Sequence, residues 1–281
     1  MTFRNFARKV YRTLHLRKPY AFFRHLFTPF GYIRNSILFP IQGFFRVHGF
    51  RDGNDKKLKA LKDKHKGERV FIIATGPSLT LEDVNMLKGE HTIGVNTIFR
   101  LYDKIDWLPE YYMFLDKDGF DKLGREGSLD LENFATTNCF VNSLCKKYGQ
   151  SSKSIFLHMN WLDHWWNNKS RKFKYNPNLV YGIYDFYSVS HSAMIMAIYL
   201  GFKDIYFIGV DNNYLGSKTH FEKSSSDYDF DYESALRTQQ AMDAGYDAVA
   251  KISKKMGVSI YNATRGGQVK AFPRVKLEDV L

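Results

Sequence analysis

Four apolar segments of the sequence are each followed at once by small or hydrogen-bonding residues that could bind phosphates, hydroxyls or amides. The segments are typical of buried β-strands, because they are short and rich in β-branched and aromatic residues. The residues that follow them are Thr75-Gly76-Pro77-Ser78, Asn96, Asp116, and Asp211 with Asn213. The carboxyl ends of parallel strands share one edge of a sheet, where ligands bind. The sequence therefore predicts one site built from four strand ends.

The turn after the first of these strands has the composition of an anion-binding loop. Gly76 permits a close backbone approach, Pro77 fixes the turn, and Ser78 can cap the next helix, whose N-terminus favours negative charge. The turn matches neither a Walker loop nor a GxGxxG fingerprint, so an NTPase or an NAD enzyme is not indicated. A purely structural turn between strand and helix is the alternative interpretation.

Strands and helices alternate along the chain after the first fifty residues. This alternation predicts an α/β fold, Rossmann-like and doubly wound, with a mainly parallel sheet in a single catalytic domain. The predicted strands are Arg69–Ala74, His91–Val95, Tyr111–Leu115, Cys139–Val141, Ser154–Leu157, Asp204–Val210 and Val258–Asn262. The predicted helices are Lys57–His65, Leu81–Leu87 with a Thr80/Asp83 capping pair, Ser188–Leu200 and Ala235–Met256.

The sequence divides into an arm at residues 1–51, the catalytic domain at 52–262 and a tail at 263–281. Residues from about 212 to 232 are predicted to form a lid loop, because they include the polar run SSSDYDFD. The two cysteines have neither a disulfide framework nor a zinc-ligand spacing, which fits a reducing compartment.

The arm carries most of the excess positive charge. The chain of 281 residues has a net charge of +12, and residues 1–51 hold ten Lys or Arg, thirteen Phe or Tyr, and no Asp or Glu. The longest uncharged run of the arm, Asn35–Phe45, has 11 residues. A membrane-spanning helix needs about 20. Interleaved Arg and Phe instead favour a segment lying in the headgroup plane of an anionic membrane.

Three other interpretations of the arm stay open: binding to nucleic-acid phosphates, an Arg-rich transit peptide, and docking of its aromatic residues on the protein body. No recognition module accompanies the charge, so nucleic acid is not the expected partner. No apolar region follows the first basic residues, so a secretory signal is not expected either. We expect a cytoplasmic protein, peripheral on the inner face of the cell membrane.

Three short segments in a fixed order resemble a known family. They are IIATGPSL ending at Leu79, GVN at Gly94–Asn96 and GFKDIYFIGVD at Gly201–Asp211. They resemble the bacterial sialyltransferases of glycosyltransferase family 42. They are more similar still to the related 6-hydroxymethylpterin diphosphokinase-like domain proteins of polysaccharide gene clusters. The closing segment Ile260–Val275 is similar to the ending of that second group.

The resemblance implies a glycosyltransferase that moves an acidic, sialic-acid-like sugar from a CMP-activated donor. The acceptor would be a glycan or a lipid-linked precursor in surface polysaccharide synthesis. No metal or other cofactor is obligatory on this pattern. The sequence leaves open whether the chain forms a homo-oligomer.

The resemblance also assigns residues to roles. His220, on the lid loop, is the implied general base, since a histidine near neutral pKa can accept the proton of an acceptor hydroxyl. Asp116 is the second implied catalytic residue, close to the donor sugar. The sialyltransferases carry Asn at the positions of Thr75 and Asp116. The implied substrate- and nucleotide-binding residues are Thr75, Gly76, Pro77, Ser78, Asn96, Ser188, Ser190, His191, Asp211 and Asn213. His191 competes with His220 for the role of base, and a buried structural histidine is its other interpretation.

Two alternatives of other classes stand beside glycosyl transfer. A pterin-type diphosphokinase would use ATP and Mg²⁺, with Asp116, Asp118 and Asp211 as metal ligands. A non-catalytic, membrane-attached scaffold would keep the fold without the chemistry.

Overall fold

A computed structural model describes residues 30–49, 52–161, 173–215 and 232–281. The strands are β1 Arg69–Ile73, β2 Thr92–Val95, β3 Tyr111–Phe114, β4 Asn138–Asn142, β5 Ser154–Leu157, β6 Met159–Asn160, β7 Ile183–Tyr184, β8 Asp204–Ile208 and β9 Ser259–Asn262. The helices are α1 Phe39–His48, α2 Gly53–Ala60, α3 Leu81–Met86, α4 Lys117–Arg125, α5 Val189–Leu200 and α6 Tyr232–Met256. A π-helical turn, Arg34–Leu38, leads into α1, and 3₁₀ turns occupy Asn96–Lys104, Ser143–Cys145 and Leu277–Asp279.

Seven strands form one parallel sheet in the order β5-β4-β3-β2-β1-β8-β9. The chain builds outward from β1 to β5 and then returns to place β8 on the other side of β1. This reversal is the mark of a doubly wound fold and confirms the predicted fold class. The two-residue strands β6 and β7 form a separate parallel pair.

Each face of the sheet has its own hydrophobic core. Along β1, Val70 and Ile72 face one core while Phe71 and Ile73 face the other, as the two-residue period of a strand requires. Helix α5 packs across β1, β2 and β3 on the first face, and α6 packs on α5 and β9. Helices α3 and α4 contribute their apolar residues to the second core. The central strands are buried on both faces, which is why their sequences are almost wholly apolar.

The predicted helix Lys57–His65 is wrong in its position. Helix α2 begins four residues earlier, at Gly53, because Asp52 caps it: the Asp55 amide donates to Asp52 Oδ1 at 2.8 Å. The helix then ends at Ala60, and a series of turns continues to Gly67. The predicted capping of α3 is confirmed, since the Asp83 amide donates to Thr80 Oγ1 at 3.1 Å.

The described part of the arm is helical and packs on the protein body through one face. Phe39 is buried against Tyr181 and Tyr184, with ring centroids 5.8 Å apart in both pairs. Arg46 donates through Nε to the Val180 carbonyl at 3.2 Å. Within the described residues, no helix combines the length and the apolar character needed to cross a bilayer.

Candidate ligand-binding crevice

The loops after β1 and β8 lie side by side at the carboxyl edge of the sheet. These two strands are neighbours, yet the chain leaves them toward opposite halves of the sheet. In doubly wound folds this switch point opens the crevice where ligands bind. The structure therefore places the predicted turn at Gly76 and the predicted Asp211 at the position where a ligand site is expected.

Ser78 and Asp211 join the two loops directly. Asp211 Oδ2 accepts hydrogen bonds from the Ser78 backbone amide at 3.1 Å and from Ser78 Oγ at 2.8 Å. The Asp211 residue is almost fully buried. The serine predicted to cap a helix and contact a phosphate thus holds a carboxylate of the same chain.

Glycines let the backbone close around Asp211. A β-carbon on Gly76 would lie 2.1 Å from Asp211 Oδ2 and 2.5 Å from the Gly209 carbonyl oxygen. Gly267, in the segment after β9, has a φ of +83°, and a β-carbon there would lie 2.8 Å from Asp211 Cα. The Gln268 amide donates to the Asp211 carbonyl at 2.8 Å. Glycine is required at Gly76 and Gly267 because three chain segments meet there.

Asn212, which was not predicted as a site residue, carries an unpaired polar atom. Its backbone has a φ of +51°, a conformation that asparagine tolerates better than most residues. The side chain donates through Nδ2 to Asp243 Oδ1 at 2.7 Å. Asn212 Oδ1 is buried and has no hydrogen-bond partner among the described residues. A buried acceptor without a donor is costly unless a ligand or water supplies one.

One face of α6 forms a wall of the crevice. Gln239, Asp243 and Tyr246 recur at four- and three-residue intervals and so share that face. Gln239 Oε1 accepts from the Tyr214 amide at 3.1 Å, beside the Asn212–Asp243 contact. Sequence analysis missed this wall, because its residues lie in an ordinary amphipathic pattern that carries no sign of a ligand.

The start of α5 presents two hydroxyls to this wall. Ser188 caps α5, where its Oγ accepts from the Ser190 amide at 3.3 Å. The Ser190 hydroxyl lies 2.7 Å from Ser188 Oγ and 3.2 Å from the Tyr246 hydroxyl. Helix α5 has twelve residues, so its N-terminus presents a substantial partial positive charge. The predicted pair Ser188 and Ser190 is thus brought together.

His191 lies inside the core behind that pair. His191 has no exposed surface, and its ring packs against the Tyr246 ring with centroids 4.0 Å apart. Nδ1 lies 2.5 Å from the Phe186 carbonyl oxygen. Removal from water lowers the pKa of His191 to about 4, so the ring is neutral at physiological pH. The position fits the structural interpretation of this histidine.

Asp116 lies at the start of α4, at the end of β3. The residue as a whole is exposed. Its two carboxylate oxygens accept hydrogen bonds from the backbone amides of Asp118 and Gly119 at 3.1 and 3.3 Å. Partial burial raises the pKa of Asp116, and the charges of Asp118 and Asp185 raise it further, against the two amides that lower it. Lys117 does not offset this charge, since it pairs with Asp121.

The remaining predicted residues divide between the described and the undescribed parts of the chain. Asn96 has a φ of +52° at the end of β2, and its carbonyl accepts from the Tyr112 hydroxyl. Thr75 and Pro77 are half-buried in the β1 loop. Asn213 Oδ1 lies 3.4 Å from Gln268 Nε2. His220, predicted as the general base, falls outside the described residues together with most of the predicted lid loop.

The carboxylates required by the kinase alternative are not gathered. In the described part of the chain, Asp116, Asp118 and Asp211 do not form a cluster of ligand atoms within 4.8 Å of one another. Asp211 Oδ2 is taken by Ser78, and the oxygens of Asp116 cap α4. Arg265, which precedes Gly266 in the segment after β9, forms ion pairs with Asp83 and Glu278 and so does not offer its charge to the phosphates of ATP.

The parallel sheet with a polar crevice at its switch point defines a Rossmann-like α/β protein. The chain belongs to the 6-hydroxymethylpterin diphosphokinase MptE-like family, which matches residues 48–217. This match confirms the resemblance to the diphosphokinase-like group. None of the curated proteins compared with the chain matches it.

Two solved structures are similar to this chain. One is the MAf glycosyltransferase from Magnetospirillum magneticum AMB-1, with 14% identity, a TM-score of 0.48, 77% of this chain covered and 35% of that one. This chain therefore spans about a third of the length of that protein. The other is the sialyltransferase CstII from Campylobacter jejuni, solved with the substrate analogue cytidine-5'-monophosphate. It has 12% identity and a TM-score of 0.41, with 75% of this chain covered and 85% of that one.

Proposed function

We propose that this protein is a glycosyltransferase that binds a nucleotide-activated sugar in the crevice between the β1 and β8 loops. The observation that carries the proposal is the excess of hydrogen-bond acceptors in that crevice. Asn212 Oδ1 is a buried acceptor without a donor, and Asp211 and Asp243 stand beside it. Carboxylates and amide oxygens bind groups that donate, and sugar hydroxyls and nucleobase amino groups are such donors.

The same crevice favours a donor with few phosphates. A phosphate group would bind at the N-terminus of α5, where the Ser188 and Ser190 hydroxyls can donate hydrogen bonds to it. A triphosphate would bring more negative charge toward Asp116 and Asp211, and Lys117 and Arg265 are already paired. A CMP-activated sugar carries one phosphate, which agrees with the donor that the family 42 resemblance implies.

The transfer step needs a base and a leaving nucleotide. The acceptor hydroxyl attacks the anomeric carbon, the new glycosidic bond forms, and the bond from that carbon to the phosphate oxygen breaks, so that CMP leaves. The hydroxyl proton passes to a general base, for which His220 is the proposed residue. Asp116, whose pKa is raised, is the second proposed catalytic group. An acidic sugar is the donor class we propose, and a glycan or lipid-linked precursor the acceptor class.

We also propose that α1 and the turn before it rest on an anionic membrane surface. Phe39 and Gly43 dock on the body, whereas Ile37 and Ile41 are offset from them by two residues, about 200° around a helix. That opposite face exposes large apolar side chains: Phe30, Ile33, Ile37, Leu38, Ile41, Phe44 and Phe45. Arm residues 1–51 hold ten bases and no acid, which complements anionic lipid.

A second candidate function is favoured by the family match, whose description names a diphosphokinase. The experiment that tests both candidates is a thermal-shift and calorimetric titration of the full chain with CMP, UMP, GMP and ATP plus Mg²⁺. We expect CMP to bind, and Ser188→Ala/Ser190→Ala to weaken it. Ser259→Ala, at the opposite edge of the same sheet, is the matched control and should bind as the wild type does.

Each outcome distinguishes one class of function. Stabilisation by ATP that requires Mg²⁺ would overturn the glycosyltransferase proposal in favour of the kinase. No response to any nucleotide would favour the scaffold. Binding of CMP followed by transfer of sugar from a CMP-activated donor to a polysaccharide primer would support the proposal in full.

A further inference from the structure

Two histidines and two glutamates form a closed cluster at the amino edge of the sheet, opposite the crevice. His65 lies in the turns after α2, and Glu68 directly precedes β1. His91 directly precedes β2, and Glu110 directly precedes β3. Parallel strands bring these strand beginnings to one edge, although Glu68 and Glu110 are far apart in the sequence. None of the crevice residues contributes to this cluster.

Three ligand atoms in the cluster converge on one point. Glu68 Oε2 lies 2.7 Å from His65 Nδ1 and 3.0 Å from His91 Nε2. The ligand atoms of these three residues all lie within 4.8 Å of one another. The His65 residue is buried, whereas Glu68 and His91 are partly exposed, so the point opens toward solvent on one side.

Glu110 lies close to the second nitrogen of each imidazole. Its Oε1 lies 3.3 Å from His65 Nε2, and its Oε2 lies 2.5 Å from His91 Nδ1. The Tyr111 hydroxyl, 2.7 Å from His65 Nε2, adds a second contact to that ring. Metal-binding histidines regularly use their second nitrogen in this way, donating it to a carboxylate that fixes the tautomer and orients the ring. Glu110 does so for His91, and Glu110 and the Tyr111 hydroxyl together surround Nε2 of His65.

One pair of tautomers turns three acceptors toward the convergence point. When His91 Nδ1–H donates to Glu110 and His65 Nε2–H points toward Tyr111 and Glu110, the other nitrogen of each ring carries a lone pair. His65 Nδ1, His91 Nε2 and Glu68 Oε2 are then three acceptors facing one another. One metal cation satisfies all three acceptors together. Lys64 Nζ lies 3.9 Å from Glu110 Oε1, so it offsets the charge of Glu110 behind the rings.

We propose that His65, Glu68 and His91 form a binding site for a divalent transition-metal ion of the zinc type, with Glu110 as the carboxylate that positions both histidines. Two imidazoles and one carboxylate suit zinc, with bonds of about 2.0–2.2 Å. The ligand atoms must move apart by a few tenths of an ångström to reach that geometry. The partly exposed side chains of Glu68 and His91 have room to do so.

The site is placed to join two loops. His65 is fixed by stacking on Phe202, with ring centroids 4.5 Å apart and planes 7° from parallel. Glu68 and His91 belong to the chain segments entering β1 and β2. A bound ion would connect these two loops and leave a fourth position open for water. Binding to the folded chain alone would then stabilise it as the metal concentration rises.

The test is zinc binding by the full chain after dialysis against a chelator, measured by calorimetry and by melting temperature, with Mg²⁺ as the comparison ion. We expect one Zn²⁺ per chain and a melting temperature that rises with Zn²⁺ but not with Mg²⁺. His91→Ala should abolish this binding, and Glu110→Gln should weaken it about 10- to 100-fold. His48→Ala, which removes an exposed histidine elsewhere, should change nothing.

Two results would overturn the proposal: no Zn²⁺ binding at micromolar concentration, or equal binding by wild type and His91→Ala. If His91→Ala fails to fold, Glu68→Gln tests the same point, because it removes the charge and keeps the shape of the third ligand. The nucleotide experiments address the opposite edge of the sheet, so the two proposals succeed or fail separately.

Discussion

Ser78 and Asp211 are 133 residues apart in the chain, and the Ser78 hydroxyl donates to Asp211 Oδ2 at 2.8 Å. This bond joins the loop after β1 to the loop after β8 and so forms the floor of the proposed site. The Ser78 amide donates to the same oxygen at 3.1 Å, so two hydrogen bonds hold the Asp211 carboxyl group in place. The bond also fixes the position of the neighbouring Asn212, whose Oδ1 has no partner among the described residues.

The floor of the crevice depends on the absence of a side chain at Gly76. Gly76→Ala would place a β-carbon 2.1 Å from Asp211 Oδ2. We expect Asp211 to move, the Ser78 bonds to break and the free energy of unfolding to fall by about 1–3 kcal/mol, as for other overpacked sites. Gly53→Ala is the control, because a β-carbon there meets nothing within 4 Å. Urea denaturation measures the stability of both variants, and equal stability of Gly76→Ala and wild type would contradict this prediction.

Asn212 is expected to contribute to ligand affinity through Oδ1, in addition to the hydrogen bond that its Nδ2 makes with Asp243. Asn212→Gly removes the acceptor Oδ1 and keeps the left-handed backbone unstrained. We expect CMP affinity to fall about tenfold, which corresponds to about 1.4 kcal/mol. Asp63→Gly, with a φ of +58° at an exposed turn, controls for the backbone effect of the substitution. Unchanged CMP affinity in Asn212→Gly would remove this residue from the site.

Asp116 is expected to make the fold less stable as the pH rises. The residue as a whole is exposed, but its carboxyl group is partly removed from water in the folded protein, which raises its pKa. The unfolded chain therefore loses the proton first, and it is favoured as the pH rises through the carboxyl range. Asp116→Asn removes this effect and keeps a helix cap. The melting temperature of the variant should rise relative to that of the wild type between about pH 3 and pH 6. The same pH dependence in Asp116→Asn and wild type would contradict this prediction. Asp103→Asn, which removes an exposed carboxylate elsewhere, is the control.

His191 is expected to destabilise the folded protein in mild acid. Burial lowers its pKa to about 4, so below about pH 6.5 the unfolded chain binds a proton that the folded chain does not. Stability should fall by on the order of 3 kcal/mol between pH 6.5 and pH 4. His158, whose pKa is also lowered to about 4 by burial and by the charge of Arg46, adds to the same loss.

The variant His191→Gln distinguishes the effect of His191 on stability from that of His158. It should have a lower stability than wild type at pH 7, because packing against Tyr246 is lost, but a shallower decline toward pH 4. Chemical denaturation across this pH range measures the slope, with His48→Gln as the exposed control. An identical slope in His191→Gln and wild type would contradict a neutral buried His191.

The two faces of α1 are expected to respond differently to substitution. Phe39→Ala should lower stability by about 3–5 kcal/mol, because this ring is buried against the body. Ile37→Ser/Phe44→Ser changes only exposed side chains, so the fold should persist while binding to anionic vesicles falls roughly tenfold. Co-sedimentation with vesicles of phosphatidylglycerol and of phosphatidylcholine measures the binding. Equal binding by variant and wild type would show that this face does not meet the membrane.

Much of the fold could be predicted from the order of the elements. The apolar runs at β1 and β8 and the stop at Gly201 are local signals, and they place both strands within two residues of their observed ends. The N-cap at Asp52 is also local, yet the predicted helix began too late, because a polar helix has no apolar period to mark its start. The pair β6–β7 escaped prediction, since two-residue strands are too short to show any period.

The sequence by itself determined which strands are buried on both faces, that the sheet is parallel, and which residue types follow the strand ends. These are local matters of composition and period. Only the tertiary structure decided that Ser78 binds Asp211, that His191 is buried behind Ser190, and that His65, Glu68, His91 and Glu110 face one another. Such contacts join residues from separate turns, and their partners depend on strand order and helix packing. Strand order is set by the burial of both sheet faces over the whole domain, which no local segment of the chain encodes.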